Sequence, residues 1–266
     1  METITSLQNP RVKNAVKLRD RRGREKQHRF LIEGYREVRR AVESGLRLDE
    51  LFTCSALYLG ANEPALVDRA QNLCGAQILP VNADVFQKLS YRDRPDGLLA
   101  TAAIPHWRIA DWPVVDTPLY VIAVAIEKPG NLGTILRTAD AVGAHGVIVC
   151  DHCTDVFNPN VVRASVGTLF TVPVAETPSH HLREWLDDRG VSIVATTPSS
   201  SLAYTDVDLR QGVGILVGSE QYGLPSDWLE AATHRVSIPM AGDADSLNAA
   251  VATAVVLFEV VRQRRS

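Results

Sequence analysis

Six apolar runs, separated by polar segments, organise the second half of the chain. They are YVIAVAI (120–126), GVIVCD (146–151), TVPVAE (171–176), VSIVATT (191–197), VGILVGSE (213–220) and RVSIPM (235–240). Runs with so little alternation are typical of strands that are covered on both faces. Helical segments follow nearly every run, and the last extends from about Ser246 to Arg264. The pattern therefore predicts an α/β domain with a parallel sheet and flanking helices.

The first half has shorter elements that also alternate between strand and helix. Strands are predicted at 29–34, 48–54, 77–81 and 97–103, and helices at 35–45, 62–74 and 82–90. Asn62 and Asn82 are candidate N-caps, and Gly45 is a candidate helix stop. These elements predict a small α/β domain of about a hundred residues.

Residues 104–118 separate the two halves, because they hold three prolines and two tryptophans without a clear period. The predicted organisation is a first domain at 1–104, a linker at 105–117 and a second domain at 118–266.

The amino-acid composition indicates the broad class to which the protein belongs. The chain has 266 residues, 45% hydrophobic and 22% charged, which is typical of a globular protein. No run is long enough to span a membrane, and the N-terminus lacks the pattern of a signal peptide. The four cysteines form no disulfide framework, so a reducing cytoplasm is expected. The segment from Cys150 to Cys153 resembles a metal-binding hook, but no second pair lies at zinc-finger spacing, so no metal site is predicted.

Charge is distributed unevenly along the chain. Residues 11–40 contain twelve Lys/Arg and four acidic residues, a net charge of +8, whereas the rest of the chain sums to −11. Crowding of like charges favours a polyanionic partner such as a phosphate backbone, although a solvated helix face remains the alternative. Arg21, Arg22 and Arg24 are the RNA-binding candidates in this segment.

Two of the predicted strands end in loops with unusual polar chemistry. After strand 120–126, Gly130 and Gly133 permit a tight turn, Asn131 can cap the next helix, and Arg137 shares a helical face with Gly133. After strand 213–220, Glu220 can hold a hydroxyl, an amide or an arginine. Taken singly, a surface arginine and a solvated glutamate are the alternatives.

The loop AGDADSLN, before the last helix, has more polar groups than a helix cap requires. Asp245 or Ser246 can cap that helix, while Ser246 and Asn248 present a hydroxyl and an amide at its start. This excess indicates a ligand site. The sequence has no dinucleotide-binding glycine fingerprint, P-loop, nucleophile elbow or H-E-x-x-H motif, which argues against the corresponding enzyme classes.

Three segments in this order resemble the signature motifs of the SpoU/TrmH family of RNA ribose 2′-O-methyltransferases. They are NLGTILRTA (131–139), LVGSEQYGL (216–224) and IPMAGDADSLNAAVA (238–252). In the first half, ITSLQNPRVK and RFLIEGYREV resemble the substrate-binding domain of the ribosomal-RNA members. One departure is Ala249-Ala250, where many members carry Val-Ser.

The resemblance implies a SPOUT fold: an L30e-like first domain and a second domain with a trefoil knot, assembled as a homodimer. It implies that S-adenosylmethionine binds among residues of three loops. The nine cofactor-binding residues that it implies are Ala195, Thr196, Leu216, Val217, Gly218, Ile238, Pro239, Met240 and Leu247. Arg137 matches the essential arginine of the family, and its role as a base or as a stabiliser of the developing alkoxide stays open. We prefer the second role because guanidinium hardly deprotonates.

The resemblance assigns the remaining site residues as well. Asn131, Glu220, Ser246 and Asn248 would hold the ribose, the arginine and the cofactor. Arg163 matches a second family arginine and is a candidate for contact with RNA phosphate, with an ordinary surface charge as the alternative.

The expected function is S-adenosylmethionine-dependent methylation of a ribose 2′-hydroxyl in RNA, with 23S ribosomal RNA favoured and neither DNA nor membrane as a partner. Methylation of transfer RNA and a non-catalytic RNA-binding role on the same fold are the alternatives. An oxidoreductase is a distant fourth. The methylated nucleotide stays open, as does the choice between a housekeeping role and antibiotic resistance.

Overall fold

The computed structural model describes residues 2–151 and 154–265. The chain forms two compact units, Met1–Pro105 with Asp155–Thr171, and His106–Thr154 with Val172–Ser266. His152 and Cys153, from the segment considered above as a metal hook, lie outside the described residues. In the described part of the chain, no helix has both the length and the hydrophobicity needed to cross a membrane.

The first unit contains a four-stranded mixed sheet flanked by helices. Numbered along the whole chain, its elements are α1 Pro10–Lys17, α2 Arg21–Gln27, β1 Arg29–Glu33, α3 Tyr35–Glu43, β2 Glu50–Thr53, α4 Glu63–Cys74, β3 Gln77–Pro80, α5 Ala83–Leu89, β4 Leu98–Ala103 and α7 Pro159–Ala164. The strand order is β1-β4-β2-β3, with β4 antiparallel to both of its neighbours and β2 parallel to β3. All four strands and the three helices predicted in this half are confirmed.

Local sequence explains how these helices begin and end. Asn82 caps α5, since its side chain accepts a hydrogen bond from the amide of Val85 at 3.0 Å. Asn62 occupies the N-cap position of α4, as predicted, but its side chain makes no capping hydrogen bond. The carboxylate of Glu63 accepts bonds from the amides of Leu59 and Gly60 in the preceding loop instead.

Residues 155–171 pack within the first unit, a placement that the sequence did not predict. The ring centroid of Phe157 lies 4.7 Å from that of Phe30 in β1. The ring centroid of Phe170 lies 6.1 Å from that of Phe30. Arg24 of α2 forms an ion pair with Asp155. Apolar and ionic contacts together therefore tie this segment to β1 and α2.

The second unit contains a six-stranded parallel sheet. Its elements are β5 Leu119–Val124, α6 Pro129–Val142, β6 Gly146–Cys150, β7 Val174–Thr177, α8 Ser179–Asp187, β8 Ser192–Thr196, β9 Val213–Val217, α9 Ser226–Ala231, β10 His234–Val236 and α10 Ala249–Arg265. The order is β10-β8-β9-β5-β6-β7, and every pair is parallel. The predicted parallel sheet is confirmed. A three-residue 3-10 turn lies at Ile109–Asp111 in this unit, and two more lie in the first unit, at Ser55–Leu57 and Thr168–Phe170.

Parallel pairing gathers the carboxyl ends of the central strands at one edge of the sheet. In register, Ala195 of β8 faces Leu216 of β9, and Ala123 of β5 faces Val217. The loops that follow β5, β8 and β9 therefore emerge side by side, which is where open parallel sheets bind ligands.

Two local predictions at this edge are wrong. The last helix begins at Ala249, so neither Asp245 nor Ser246 caps it; Asn248 does, accepting bonds from the amides at 250 and 251 at 3.0 and 3.4 Å. Asn131 is not a cap either, because α6 begins at Pro129 and places Asn131 inside its first turn.

The turn between β5 and α6 does not depend on glycine. Gly130 lies inside α6, and the left-handed conformation falls on Ala125, whose φ is 51°. An alanine in this region costs roughly 1 kcal/mol. The loop that carries this strained alanine leads into the first turn of α6, which contains Asn131.

Candidate active site

A cleft with a volume of about 670 Å³ opens at the carboxyl edge of the parallel sheet. Three loops line it, at 196–199 after β8, at 217–224 after β9 and at 238–249 before α10, together with Lys128. Because the three loops are far apart in sequence, only the strand order of the sheet brings them together.

Three polar side chains from separate segments are joined by hydrogen bonds beside this cleft. Asn248 donates from Nδ2 to Oδ1 of Asn131 at 3.1 Å, and Asn131 donates from Nδ2 to Oε1 of Glu220 at 2.5 Å. Glu220 also accepts from the amide of Glu127 through Oε2 at 3.4 Å. This relay fixes the orientation of both amides and holds the start of α6, the loop after β9 and the start of α10 together.

Hydrogen bonding favours the ionised form of Glu220. Burial of the carboxylate acts to raise the pKa of Glu220, but the hydrogen bonds from Asn131 and from three backbone amides outweigh it. The pKa of Glu220 therefore lies below its ordinary value. An ionised carboxylate has about four lone-pair sites, enough to accept these four donors.

The wall of the cleft has two features that fit a bound ligand. Oγ1 of Thr196, at the end of β8, is buried without a hydrogen-bond partner among the described residues. Gly218 lies so close to the backbone of Gly223 that an added Cβ would approach its carbonyl to 2.3 Å. The loop after β9 is thus held in a tight turn that presents main-chain groups to the cleft.

Most of the residues predicted to bind the cofactor line this cleft. They are Thr196, Val217, Gly218, Ile238, Met240 and Leu247. Ala195 and Leu216 are instead buried inside β8 and β9, and Pro239 lies between two lining residues without lining the cleft itself. Glu220, Ser246 and Asn248 also line it, whereas Asn131 reaches it only through the relay.

Arg137 is not part of this cleft. It lies on the exposed face of α6 and makes no hydrogen bond or ion pair with any residue that the structure describes. In a single copy of the chain, the predicted catalytic arginine is therefore separate from the other predicted site residues.

The basic segment is only partly available to a partner. Arg21 is exposed and pairs with Glu25 at 2.8 Å, and Arg22 is exposed. Arg24 is buried with 2% exposure and is bound to Asp155 and to backbone carbonyls in the preceding turn. The prediction that Arg24 contacts RNA is corrected, because its guanidinium is used inside the first unit. Arg163 lies exposed on α7.

Sequence reasoning missed two exposed residues of the cleft. Lys128 and Tyr222 line it, and Tyr222 is 78% exposed. Both lie inside segments that were singled out for other residues, KPGN and SEQYG. Their position in loops that follow predicted strands was the feature of the sequence that could have identified them.

Comparison with known proteins decides the family. The sequence profile described as "SpoU rRNA Methylase family" matches residues 118–258, and the "MRM3-like substrate binding domain" matches residues 9–100. The chain belongs to the SpoU rRNA methylase family. The three motifs that suggested this family in the sequence all lie within the matched 118–258 region.

Full-length relatives in the SpoU family support the assignment. The chain is 35% identical over 259 residues to the 23S rRNA (uridine(2479)-2′-O)-methyltransferase of Streptomyces viridochromogenes, covering 94% of this chain and 88% of the relative. A crystal structure of an RNA 2′-O ribose methyltransferase is 40% identical, with a TM-score of 0.87 over 100% of both chains. The AdoMet-bound rRNA methyltransferase of Sinorhizobium meliloti is 33% identical, with a TM-score of 0.89 over 98% of this chain and 97% of the other.

Proposed function

We propose that this protein transfers a methyl group from S-adenosylmethionine to the 2′-hydroxyl of a ribose in 23S ribosomal RNA. The observation that carries the proposal is the polar relay of Asn131, Glu220 and Asn248 beside a cleft of about 670 Å³ at the carboxyl edge of the parallel sheet. Relatives named as 23S rRNA 2′-O-methyltransferases and an AdoMet-bound neighbour support the substrate and the cofactor.

The cleft suits S-adenosylmethionine. Main-chain groups of the loops after β8 and β9 would hold the adenosine, with the unpartnered hydroxyl of Thr196 as one further contact. The apolar side chains of Ile238, Met240 and Leu247 would cover it. When bound, the cofactor supplies a methyl group on a positively charged sulfur.

The residues of the chain then position the ribose. Glu220, oriented by its bond from Asn131, would hold the ribose and fix the direction of the attacking oxygen. Ser246 and Asn248 line the cleft on the opposite loop, where a hydroxyl and an amide can hold the cofactor or the sugar. Arg137 would stabilise the developing alkoxide through its permanent positive charge while the 2′-hydroxyl releases its proton to water.

We infer that the active form is a homodimer. The outward side of α10 carries apolar residues at helical spacing: Val251 and Phe258, 48% and 53% exposed, with the half-buried Val255 between them. α10 packs against α6, which carries Arg137. Because Arg137 lies outside the cleft of its own chain, pairing two copies through these helices would bring the arginine of one copy to the cleft of the other.

The remaining expectations follow from the same assignment. Residues 118–266 would carry the chemistry in a trefoil-knotted fold, and residues 1–104 would select the RNA, joined by the linker at 105–117. The exposed Arg21, Arg22 and Arg163 would contact phosphates of the RNA. The cytoplasm, where ribosomal RNA is processed, is the proposed location.

Two measurements test the function. Calorimetry with S-adenosylmethionine should give one site per chain, and tritium from the labelled cofactor should enter 23S rRNA at a 2′-oxygen. Labelling of transfer RNA alone would show that the substrate is wrong. Absence of cofactor binding by the folded protein would favour a non-catalytic RNA-binding role.

A further inference from the structure

The first unit contains a second cleft, with a volume of about 780 Å³, that plays no part in the chemistry described above. It lies between the start of α3, the loop before α4, the segment at 92–96 and the end of α7. Four acidic and four basic side chains line it: Glu37, Glu63, Asp93, Asp96, Arg36, Arg92, Arg94 and Arg163. Eight charged side chains therefore share one concave site.

Three buried carboxylates along this cleft each have one oxygen in use and one oxygen free. Glu37 pairs with Arg92 at 2.6 Å through Oε1, Glu63 accepts loop amides through Oε1, and Asp96 accepts the amide of Tyr35 through Oδ2. Oε2 of Glu37, Oε2 of Glu63 and Oδ1 of Asp96 have no hydrogen-bond partner among the described residues. The three residues are only 4%, 4% and 8% exposed.

An unpaired donor completes this set. Nε of Arg92 is buried without a partner among the described residues, although Nη2 of the same guanidinium binds both Glu37 and the carbonyl of Glu33. Burial raises the pKa of Glu37 in spite of its contact with Arg92. Leaving buried polar atoms unpaired costs free energy, so a site with four such atoms is suited to a ligand that supplies the missing partners.

The walls and the rim of the cleft indicate the rest of that ligand. The ring of Tyr35 and the side chain of Leu59, which is 81% exposed, offer flat apolar surface. Arg36, Arg94 and Arg163 are exposed, and none of their side chains makes a hydrogen bond or ion pair within the described residues. Apolar walls suit a nucleobase, and unpaired arginines at the rim suit phosphates.

We propose that this cleft binds one unpaired guanine nucleotide of the RNA substrate, with the buried carboxylates on the N–H groups of the base and the rim arginines on the flanking phosphates. The proposal rests on the proposed function and deepens it by naming a base that the first unit reads. The free oxygens are themselves buried, so binding requires the carboxyl groups, which have broad terminal torsions, to rotate toward the ligand.

Guanine matches the unpaired atoms better than the other bases do. Its Watson–Crick edge offers three N–H bonds, on N1 and N2, and one acceptor, O6. The cleft offers three free carboxylate oxygens and the N–H of Arg92. Uracil, with one N–H and two carbonyl oxygens, would leave carboxylates unpaired against oxygen acceptors.

Binding of labelled pentanucleotides to the full-length protein tests the proposal. UUGUU should bind roughly tenfold more tightly than UUUUU, and replacing the guanine with inosine, which lacks the N2 amino group, should remove much of this preference. Equal affinity for the three RNAs would overturn the proposal, and this comparison needs no variant. Free GMP that binds as tightly as UUGUU would overturn the assignment to RNA.

Two variants and a matched control locate the binding. Glu63→Gln keeps an oxygen for the loop amides and places an N–H₂ group where the free oxygen was, so the preference for guanine should fall by roughly tenfold. Asp68→Asn removes the same charge from an exposed position of α4 and should leave the preference unchanged. Arg94→Ala should weaken the binding of all the oligonucleotides equally and reduce its dependence on salt. A Glu63→Gln protein with unaltered preference would overturn the proposal.

Cofactor calorimetry and methylation of 23S rRNA, run on the same preparations, distinguish failure of the guanine site from failure of the proposed function. Intact methylation by wild-type protein without a preference for guanine would leave the proposed function standing and reject this site. Loss of both would reject the proposed function as well.

Discussion

Asn248 donates a hydrogen bond from Nδ2 to Oδ1 of Asn131 at 3.1 Å, although 117 positions separate the two residues. The same Asn248 caps α10 through Oδ1. One side chain therefore orders the start of the last helix and orients the amide that holds Glu220. These two tasks can be separated by substitution.

Asn248→Asp should retain the stability of the protein and lose methyltransferase activity. Aspartate can accept the amides at the start of α10, but it cannot donate to Asn131 and places an acceptor against an acceptor. Asn248→Ala should lose activity and also about 1 kcal/mol of stability, the usual cost of a missing cap. Urea unfolding and a methylation assay on both variants check this. Full activity of Asn248→Asp would show that the bond to Asn131 is dispensable.

The sheet was predictable from sequence, but the contacts within the site were not. Runs such as 120–126 and 213–220 identify buried strands because apolar continuity is a local property. The bonds from Asn131 to Glu220 and Asn248 depend on strand order and register, which no local pattern encodes. The family resemblance indicated which residues belong to the site, and the structure showed the hydrogen bonds between them.

Arg24 shows the same limit in the basic segment. Its neighbours Arg21 and Arg22 are exposed, and nothing in the local sequence marks Arg24 as the buried arginine of the three. Its partner Asp155 lies 131 positions away. A charge run indicates a basic surface, but only the tertiary structure shows which of its members are used internally.

Asp155→Asn should destabilise the protein by about 3 kcal/mol. The change leaves the guanidinium of Arg24 buried without a counter-charge, and breaking one partner of a buried ion pair is strongly destabilising. Glu25→Gln, which breaks the exposed pair with Arg21, should cost only about 0.5 kcal/mol. Urea denaturation of both variants gives the comparison. Similar small losses would mean that Arg24 is adequately held by the backbone carbonyls alone.

The contribution of Glu220 to stability should depend on pH in the acidic range. Because its folded-state pKa lies below the ordinary value of about 4.3, the carboxylate stabilises the folded protein above that value. The contribution is lost as the pH falls through the folded-state pKa. The difference in unfolding free energy between wild type and Glu220→Gln should therefore be constant from pH 7 to 5 and shrink below about pH 4. Glu230→Gln, on the exposed side of α9, is the control for the loss of charge. A difference that grows at acidic pH would reverse the sign of the inferred shift.

Arg137→Ala should abolish turnover while leaving cofactor affinity and stability nearly unchanged. The side chain is exposed, makes no hydrogen bond or ion pair with the described residues and does not line the cofactor cleft. Calorimetry with S-adenosylmethionine and thermal unfolding measure the two unchanged quantities. Arg210→Ala removes an exposed arginine elsewhere in the same unit and should remain active. Normal turnover by Arg137→Ala would remove this arginine from the mechanism.

Mixed dimers should show whether Arg137 serves the cleft of its own chain or that of a second copy. If two copies share each site, a dimer of one Arg137→Ala chain and one Asn248→Asp chain has one site with both changes and one with neither. Random pairing of the two inactive variants should then restore about a quarter of wild-type activity. If Arg137 acts within its own chain, every site carries a defect and mixing restores nothing. Phe258→Asp, which places a charge on the apolar side of α10, should give monomers in analytical ultracentrifugation and abolish the restoration. Dimers that persist in Phe258→Asp would place the interface on a different surface of the chain.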